Sequence, residues 1–481
     1  MVKAHKNEMD MTSGNLFKKI FLFSLPIILS GLLQLLYNAA DLIVCGKFGS
    51  GHSVGAISAT NALINLIIQL FMGLSVGANV LMARCFGANL KEKGQRIAYT
   101  SMILSAVLGV VLGVFGALCS KFFLVWMGTP DEVIGLSTLY LRIYFCGVPF
   151  SLIYNFGASL LRAVGDTRRP FYFLAASGLF NVGFNLLFVI VFKMDVAGVA
   201  LGTILSQAIS AVCVVVCLAK NKGFFHFSFK EMRFYKAEAI EIARVGLPAG
   251  LQGAIFSLSN VLIQSSVNRL GANTMDGNGA AGSIEGFVYV SMNSVAQACI
   301  AFVSANFGAG KWGNIKKTVW YSLAYVLIFG LAVGGLATIF GKQLLAIYLD
   351  EPDAIAVGYS RLRIICLTYF LCGFMDVMGY AVRGIGYSIL PTIVALLGAC
   401  GFRILWIYTI FRIDAMHSLQ GLAISYPISW ALTFAVHLTV FIILYRKKKR
   451  EYEQSRVDTE AVQEEIMPET AEEIIDKQTD I

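Results

Sequence analysis

The first long apolar run of the chain, residues 24–43, contains polar side chains that could bind an ion or a solute. Gln34, Asn38 and Asp41 are spaced by four and three residues, so a helix places them on one face with Tyr37 beside them. A carboxylate inside a membrane is costly, and it normally faces a cavity or a partner. The stripe therefore predicts an ion or solute site, unless Asp41 lies at the headgroup level as a solvated residue.

Composition and length indicate a membrane protein with many spans. Hydrophobic residues make up 57% of the 481 residues and charged residues 14%, whereas an average soluble domain has about 25% charged residues. A bilayer span needs about 20 residues, so the chain has room for about a dozen helices. The net charge of +9 comes from basic residues dispersed among apolar runs, which favours a lipid bilayer as the partner and argues against nucleic acid.

Apolar windows predict an all-α integral membrane protein with twelve transmembrane helices in two six-helix lobes. The predicted order is a cytoplasmic amino-terminal segment (1–18), an amino lobe (19–219), a cytoplasmic linker (220–238), a carboxyl lobe (239–445) and a tail (446–481). The tail starts basic and becomes acidic and polar, so we expect it to be disordered. Basic residues gather in alternate loops and near both ends, which predicts that both termini are cytoplasmic.

The two halves of the chain repeat one another. Pro26 and Pro248 lie 222 residues apart, and the pattern Arg-x-x-Gly-x4-Pro occurs at 162–170 and again at 383–391. Each half has an even number of predicted spans, so the two copies cross the membrane in the same direction. This predicts a parallel internal repeat, with the lobes related by an axis along the membrane normal.

The carboxyl half lacks the acid of the first span. Ile263 stands at the position equivalent to Asp41, between the polar residues Asn260 and Gln264. A residue with a packing role could occur in both lobes, whereas an ion site needs to exist in only one lobe. The absence of an acid from the carboxyl half therefore favours a function for Asp41. Asn260 and Gln264 become candidates for the wall of a central substrate cavity, together with Gln34, Tyr37 and Asn38.

The eighth predicted span carries a second polar stripe. Glu285 is followed on the same side by Tyr289, Met292 and Asn293. A carboxylate with an aromatic ring suits a cationic ligand, so the stripe is a candidate substrate wall. The alternative is that Glu285 is an interfacial residue. Asp376, in the tenth span, fits either an ion pair or a transport role.

These features together resemble the multidrug and toxic compound extrusion (MATE) family, from about residue 15 to residue 445. The residues that carry the resemblance are Pro26 through Asp41, the loop 162–170 and the duplicated Phe-Gly-Ala turns at 86–88 and 307–309. The resemblance implies a V-shaped pair of six-helix bundles in a bacterial plasma membrane. It also implies a non-enzymatic secondary exporter of organic cations and amphiphiles in antiport with Na⁺ or H⁺.

The same resemblance implies a cation-coupling site made of Asp41, Asn181 and Asn185 of the fifth span, and Thr203 of the sixth. One carboxylate with several neutral oxygens suits a hard cation, so Asp41 is a possible Na⁺ ligand. The same groups could instead form a network that tunes the pKa of the acid, or simple hydrogen bonds between helices. We expect a monomer, drug-like small-molecule substrates and no cofactor besides the coupling ion.

Other functions receive less support from the sequence. A lipid-linked oligosaccharide flippase of the same broad fold group would need a cationic central cavity for its anionic cargo, and Arg403 is the clearest cation within a span. Residues 308–311 look like part of a phosphate loop but lack its full spacing, and the histidines show no metal-ligand spacing. An enzyme is therefore not predicted.

Overall fold

The structure, a computed structural model, describes residues 8–49, 51–221 and 223–476. Residues 1–7 of the amino-terminal segment and 477–481 of the tail lie outside the described residues. The described chain folds into α-helices: α1 (Leu16–Phe48), α2 (Ser53–Gly87), α3 (Lys91–Trp126), α4 (Asp131–Ala163), α5 (Arg168–Leu186), α6 (Asp195–Ala219), α7 (Lys236–Asn268), α8 (Ala272–Gly308), α9 (Trp312–Ile339), α10 (Gly341–Leu345), α11 (Pro352–Thr368), α12 (Phe370–Gly384), α13 (Ile389–Ala395), α14 (Phe402–Tyr408) and α15 (Leu419–Asp476). Helix α5 continues as a π-helical turn (Leu187–Val191), and a second π-helical turn (Leu396–Gly401) joins α13 to α14.

Twelve membrane spans follow from the lengths and hydropathy of these helices. Eleven segments of the described chain are long and apolar enough to cross a bilayer individually. The twelfth span is the pair α11 and α12, which pass the test together and are bent by 44° at their junction. The prediction of an all-α protein with twelve transmembrane helices is therefore confirmed.

The spans form two lobes, α1–α6 and α7–α15. In the amino lobe α4 packs on α2, α3 and α6, and in the carboxyl lobe α8 packs on α9, α11 and α12. The linker between the lobes is held against the amino lobe by buried aromatic rings. Phe224 meets Phe86 of α2 with 5.2 Å between ring centroids, and Phe227 meets Tyr99 of α3 at 5.4 Å.

The lobes touch at the end of the molecule where α2 ends and α7 begins. A Cβ atom at Gly73 would lie 2.0 Å from the backbone nitrogen of Gly250, and one at Gly77 would lie 2.4 Å from the carbonyl oxygen of Ile242. Glycine is required at these crossings because it lets two helix backbones approach closely. At the same end, Nη2 of Arg84 donates to two carbonyl oxygens of α12 at 3.1 and 3.2 Å.

The segment that precedes α1 also binds the carboxyl lobe at this end. Nδ2 of Asn306 donates to the carbonyl oxygen of Met11 at 2.9 Å, and Nζ of Lys311 donates to that of Thr12 at 2.9 Å. Met11 is fully buried. The segment therefore connects the first helix of one lobe to α8 and α9 of the other.

The tail differs from its prediction. The sequence predicts disorder from residue 446, but α15 continues as one helix to Asp476. Lys448 and Lys449 form ion pairs with glutamates three and four residues later, at 2.7 and 3.3 Å, and this spacing supports a helix. Extending an existing helix also avoids the cost of nucleating a new one. The described part of the tail is therefore helical in this structure, where the sequence predicts disorder.

Candidate functional site

Three helices of the amino lobe bring a carboxylate and neutral polar side chains together. Asp41 lies on α1, Asn181 and Asn185 lie on α5, and Thr203 lies on α6. Nδ2 of Asn185 donates to Oδ1 of Asp41 at 2.5 Å and lies 3.4 Å from Oδ1 of Asn181. The Thr203 hydroxyl is within hydrogen-bond reach of Asp41 and also of the Val199 carbonyl oxygen, at 3.0 Å. The structure thus gathers all four residues that the family resemblance groups together.

The amide of Asn185 is held tightly at the centre of this cluster. Its Oδ1 atom is buried and has no hydrogen-bond partner among the described residues. A Cβ atom at position 202 would lie 2.2 Å from that oxygen, so Gly202 of α6 leaves the space that the amide occupies. Buried polar atoms are normally satisfied. The amide nitrogen of Asn185 thus faces Asp41, and the neutral oxygens of Asn181 and Thr203 near the carboxylate are ligands of the type that a hard cation prefers.

The other polar residues of α1 have different surroundings. Tyr37 is half-buried, and its hydroxyl donates to the carbonyl oxygen of Ala175 on α5 at 3.3 Å. Gln34 and Asn38 are exposed. Neither of the two lines the cavity that the described residues form between the lobes. Tyr37 therefore ties α1 to α5, and the structure gives Gln34 and Asn38 no part in that cavity.

A cavity of about 490 Å³ lies between the lobes and reaches into the carboxyl lobe. Helices α2, α4, α7, α8, α12, α14 and α15 contribute to its wall. Of the residues predicted from the sequence, Asn260, Tyr289 and Asn293 line it. Cavities of about 300–1,000 Å³ hold drug-sized ligands, so the volume suits a small organic molecule.

Glu285, Gln264 and Met292 do not belong to this wall. Both oxygens of Glu285, which is 5% exposed, accept hydrogen bonds from Arg361 of α11 at 2.8 Å. Arg361 also donates to Asn278 at 2.9 Å, and Asn278 donates to Gln264 at 2.9 Å. Met292 is 1% exposed and packs in the core. In this structure a buried network holds Glu285 and Gln264 and the core holds Met292, so none of the three lines the cavity.

The charged residues on the cavity wall are mostly basic. The described lining residues include three arginines, Arg162, Arg383 and Arg403, and one carboxylate, Asp376. Nη1 of Arg162 donates across the lobes to Oε1 of Gln297 at 3.2 Å. The Oδ2 atom of Asp376 is buried without a hydrogen-bond partner among the described residues. The wall therefore carries an excess of positive charge.

Comparison with known proteins identifies the family. The MatE family model matches residues 26–187 and 248–409, and these two segments start 222 residues apart, like the repeated prolines. The chain belongs to the MATE family. Its curated relatives include the "Probable multidrug resistance protein YoeA" of Bacillus subtilis, which is 26% identical over 90% of this chain and 95% of the relative. The "Multidrug export protein MepA" of Staphylococcus saprophyticus is 21% identical over 91% and 95%.

Solved MATE-type structures share the fold of this chain. One, described as the outward-facing conformation of a multidrug resistance MATE family transporter, has a TM-score of 0.87 with 23% identity over 93% of this chain and all of that one. Another has the same score and identity and covers 99% of that chain. It comes from Pyrococcus furiosus, and its description says that reverse polarity of the binding pocket suggests a different function. This MATE protein is thus a multi-pass membrane transporter and not an enzyme.

Sequence reasoning missed several residues of the cavity of this MATE protein. Arg162 and Arg383 occur in the repeated Arg-x-x-Gly-x4-Pro pattern, which served only as evidence of the internal repeat and of the family resemblance. The structure places both in the last turn of a helix, facing the cavity. The recurrence of these arginines in both halves was the sequence signal that could have identified them as cavity residues. Tyr426 and Trp430 of α15 gave none, because aromatic residues are common in membrane spans.

Proposed function

We propose that this MATE protein is a secondary transporter that exports amphiphilic small molecules in exchange for a cation, Na⁺ or H⁺, bound at Asp41. The clustering of the Asp41 carboxylate with Asn181, Asn185 and Thr203 carries the proposal. The names of the curated relatives, which are multidrug resistance and export proteins, support the efflux function. The coupling ion is the one accessory group that the transport cycle requires.

Helix α1 can connect the ion site to the arrangement of the lobes. Asp41 lies on the part of α1 that faces α5 and α6, and Gly31 of the same helix meets Val290 of α8 so closely that a Cβ would lie 2.4 Å from Val290 Cγ1. A cation neutralises Asp41 and so changes which arrangement of α1 is favoured. A ligand shifts such an equilibrium through its different affinities for the two states.

We further propose that both termini are cytoplasmic and that the protein acts as a monomer in the bacterial plasma membrane. The positive charges of the alternate loops support this orientation. The lobe contacts around Gly73, Gly77 and Arg84 then close the cytoplasmic end, so the structure corresponds to an outward-facing state. Labelling of Lys316→Cys and Asp353→Cys by an impermeant reagent in intact cells tests the orientation, because these positions should report opposite sides.

The family resemblance implies organic cations as substrates. The aromatic residues that line the cavity, together with Asp376, support that class. A lipid-linked oligosaccharide flippase is the second candidate, because the excess of arginines on the wall favours a polyanionic headgroup. Translocation of a fluorescent short-chain polyprenyl pyrophosphate sugar in proteoliposomes tests this alternative. Movement of that lipid without any imposed ion gradient would favour the flippase over the exporter.

The deciding experiment for the exporter uses proteoliposomes with an imposed sodium gradient, a proton gradient or neither. We expect one ion gradient to drive uptake of an amphiphilic dye into inside-out vesicles, and the dye in turn to stimulate flux of that ion. The ion that does so is the coupling ion. Equal dye transport in all three conditions would overturn the proposal of secondary active transport.

A further inference from the structure

We propose that the cavity contains a binding subsite for a single negative charge at Arg403, so that flat aromatic anions, such as carboxylates and sulfonates, are ligands of this protein. The inference deepens the proposed export function, because it names the chemical class of the compounds that the cavity holds. It departs from the organic-cation class that the family resemblance implies.

Arg403 is a buried cation whose guanidinium is only partly hydrogen-bonded. It is 4% exposed, lies on α14 and lines the cavity. Nε donates to the hydroxyl of Ser429 at 3.0 Å, whereas Nη2 is buried without a hydrogen-bond partner in the described part of the chain. A buried donor that is left unpaired costs about 1–3 kcal/mol, more for a charged group. An anionic ligand against the guanidinium would offset the cost of burying its charge.

Aromatic rings orient the guanidinium of Arg403. Its central carbon lies 4.0 Å from the ring centroid of Tyr426 and 5.5 Å from that of Trp430. These rings hold the guanidinium by cation–π contacts and do not use its hydrogen-bond donors. A planar guanidinium edge matches the geometry of a carboxylate or sulfonate group.

The carboxylates near Arg403 have other arginines as their charged neighbours. Glu285 is paired with Arg361, whose guanidinium also lies near Tyr426, 5.3 Å from its ring centroid. Asp376 has Arg383 as its charged neighbour. Among the described residues Arg403 has no ion-pair partner within 4.0 Å. A buried charge is stable when it is paired, so an external anion is the missing partner.

The surroundings of Arg403 indicate the shape of the ligand. Trp430 makes edge-to-face contacts with Tyr369, at 5.1 Å between centroids, and with Tyr426, at 5.7 Å. These rings and Phe256 line the cavity and form an apolar wall for a flat ring system. The guanidinium of Arg403 by itself balances one negative charge, whereas a pyrophosphate would need a second cation beside it. The site therefore suits a monoanion with an aromatic body.

The test compares three probes that share one ring system and differ in charge: 2-naphthoate, neutral 2-naphthamide and 2-naphthylmethylammonium. Equilibrium dialysis measures their binding to the full-length protein in nanodiscs, after subtraction of binding to empty nanodiscs. We expect 2-naphthoate to bind at least tenfold more tightly than 2-naphthamide, and the ammonium probe most weakly. Equal affinities for the three probes, or no saturable binding of 2-naphthoate, would overturn the proposal.

Variants test whether Arg403 causes the preference for 2-naphthoate. Arg403→Gln should weaken 2-naphthoate at least tenfold and leave 2-naphthamide within about twofold, and Arg403→Lys should fall between Arg403→Gln and the wild type. Arg412→Gln is the matched control, because Arg412 lies in the same span but is exposed. Unchanged 2-naphthoate affinity in Arg403→Gln would refute the assignment. If this variant does not fold, the wild-type preference among the three probes still decides.

The result of the probe-binding test is separable from the result of the transport test of the proposed function. Binding of 2-naphthoate at Arg403 requires no ion gradient and should persist in Asp41→Asn. If no gradient drives transport but the charge preference is found, the exporter proposal fails and the anion subsite stands. If transport is coupled to an ion but the three probes bind equally, the exporter proposal stands and the anion subsite fails.

Discussion

At the scale of single residues, the proposed coupling role of Asp41 depends on whether its carboxylate is charged or is neutralised by a bound cation. Asn185 donates a hydrogen bond to that carboxylate. Asp41→Asn retains the shape and the hydrogen-bonding capacity but carries no charge. We expect this variant to insert and fold, and dye transport driven by either ion gradient to fall to the rate of protein-free liposomes.

The control for this prediction is Asp131→Asn, which removes an exposed carboxylate from the first turn of α4. It should transport like the wild type. Gradient-driven transport at the wild-type rate in a properly inserted Asp41→Asn protein would exclude Asp41 from the coupling mechanism.

The pair of Glu285 and Arg361 is a second test at this scale. Glu285→Gln leaves a buried guanidinium without its charged partner, and breaking a buried pair costs about 3–5 kcal/mol. Thermal unfolding should therefore occur at a clearly lower temperature, and transport of cationic and neutral compounds should fall in the same proportion. Glu285→Gln combined with Arg361→Gln should recover part of the stability.

The exposed pair of Lys93 and Glu241, at 3.0 Å, provides the comparison. Exposed pairs contribute about 0–1 kcal/mol, so Lys93→Gln should leave the unfolding temperature nearly unchanged. A selective loss of cation transport in Glu285→Gln, with normal stability, would return Glu285 to the substrate wall and contradict the pairing.

The sequence predicts part of the site because some of its partners share a helix. Asn181 and Asn185 are one turn apart, so their common face was readable, and the family resemblance added Asp41 and Thr203. The partner of Glu285 lies 76 residues away on α11. Helical periodicity says which residues share a face but not which face of another helix they meet. The stripe that starts at Glu285 therefore lies only partly on the cavity wall, where Tyr289 and Asn293 are.

At the scale of helices, the contact of α5 with α6 positions the ion site. Gly202→Ala would place a Cβ 2.2 Å from Oδ1 of Asn185, so the amide must move away from Asp41. A hydrogen bond to a charged group contributes about 1.5–3 kcal/mol, and its loss corresponds to a factor of about ten or more in affinity. We expect the concentration of coupling ion at half-maximal transport to rise by about tenfold or more.

Gly183→Ala is the matched control for this helix contact. Gly183 lies on α5 two residues before Asn185, and no atom lies within 4 Å of a Cβ built there, apart from the neighbouring chain and helix backbone. Alanine favours a helix over glycine by about 1 kcal/mol, so this variant should be as stable as the wild type or more so. Equal ion dependence in Gly202→Ala and Gly183→Ala would mean that Asn185 does not set the ion affinity.

The ends of the helices were less predictable from the sequence than the membrane spans. Apolar length predicts a span, but a helix ends where its caps lie and not where hydropathy falls. Helix α1 starts at Leu16, well before the apolar run at residues 24–43, because the side chain of Asn15 accepts from the backbone nitrogen of Lys18 at 3.1 Å. Helix α15 likewise continues past its apolar part.

At the scale of the whole molecule, the amino-terminal segment holds the two lobes together at their closed end. Asp10 organises this segment: the Thr12 backbone nitrogen donates to it at 2.8 Å, and the Ser13 hydroxyl also donates to it. Partial burial opposes ionisation of Asp10, but these hydrogen bonds outweigh it and lower its pKa below the usual value. At neutral pH Asp10 is therefore ionised and the segment is ordered against Asn306 and Lys311.

Asn306→Ala should loosen this closed end. It removes the donor to the buried carbonyl oxygen of Met11, and an unpaired buried polar group costs about 1–3 kcal/mol. Because the bond crosses the lobes, this cost falls on the closed arrangement, and about 1.4 kcal/mol raises the ratio of open to closed molecules tenfold. Spin labels at Lys91→Cys of α3 and Lys316→Cys of α9, both exposed, should show a larger long-distance population.

A general loss of stability would also follow from removing a buried amide, so the control must remove one that does not cross the lobes. Asn155 donates to the carbonyl oxygen of Ser151 at 2.9 Å within α4. Asn155→Ala should leave the distance distribution between the two labels unchanged. If Asn306→Ala gives the same distribution as Asn155→Ala, the bond to Met11 does not hold the lobes closed, and the glycine crossings of α2 with α7 are sufficient for closure.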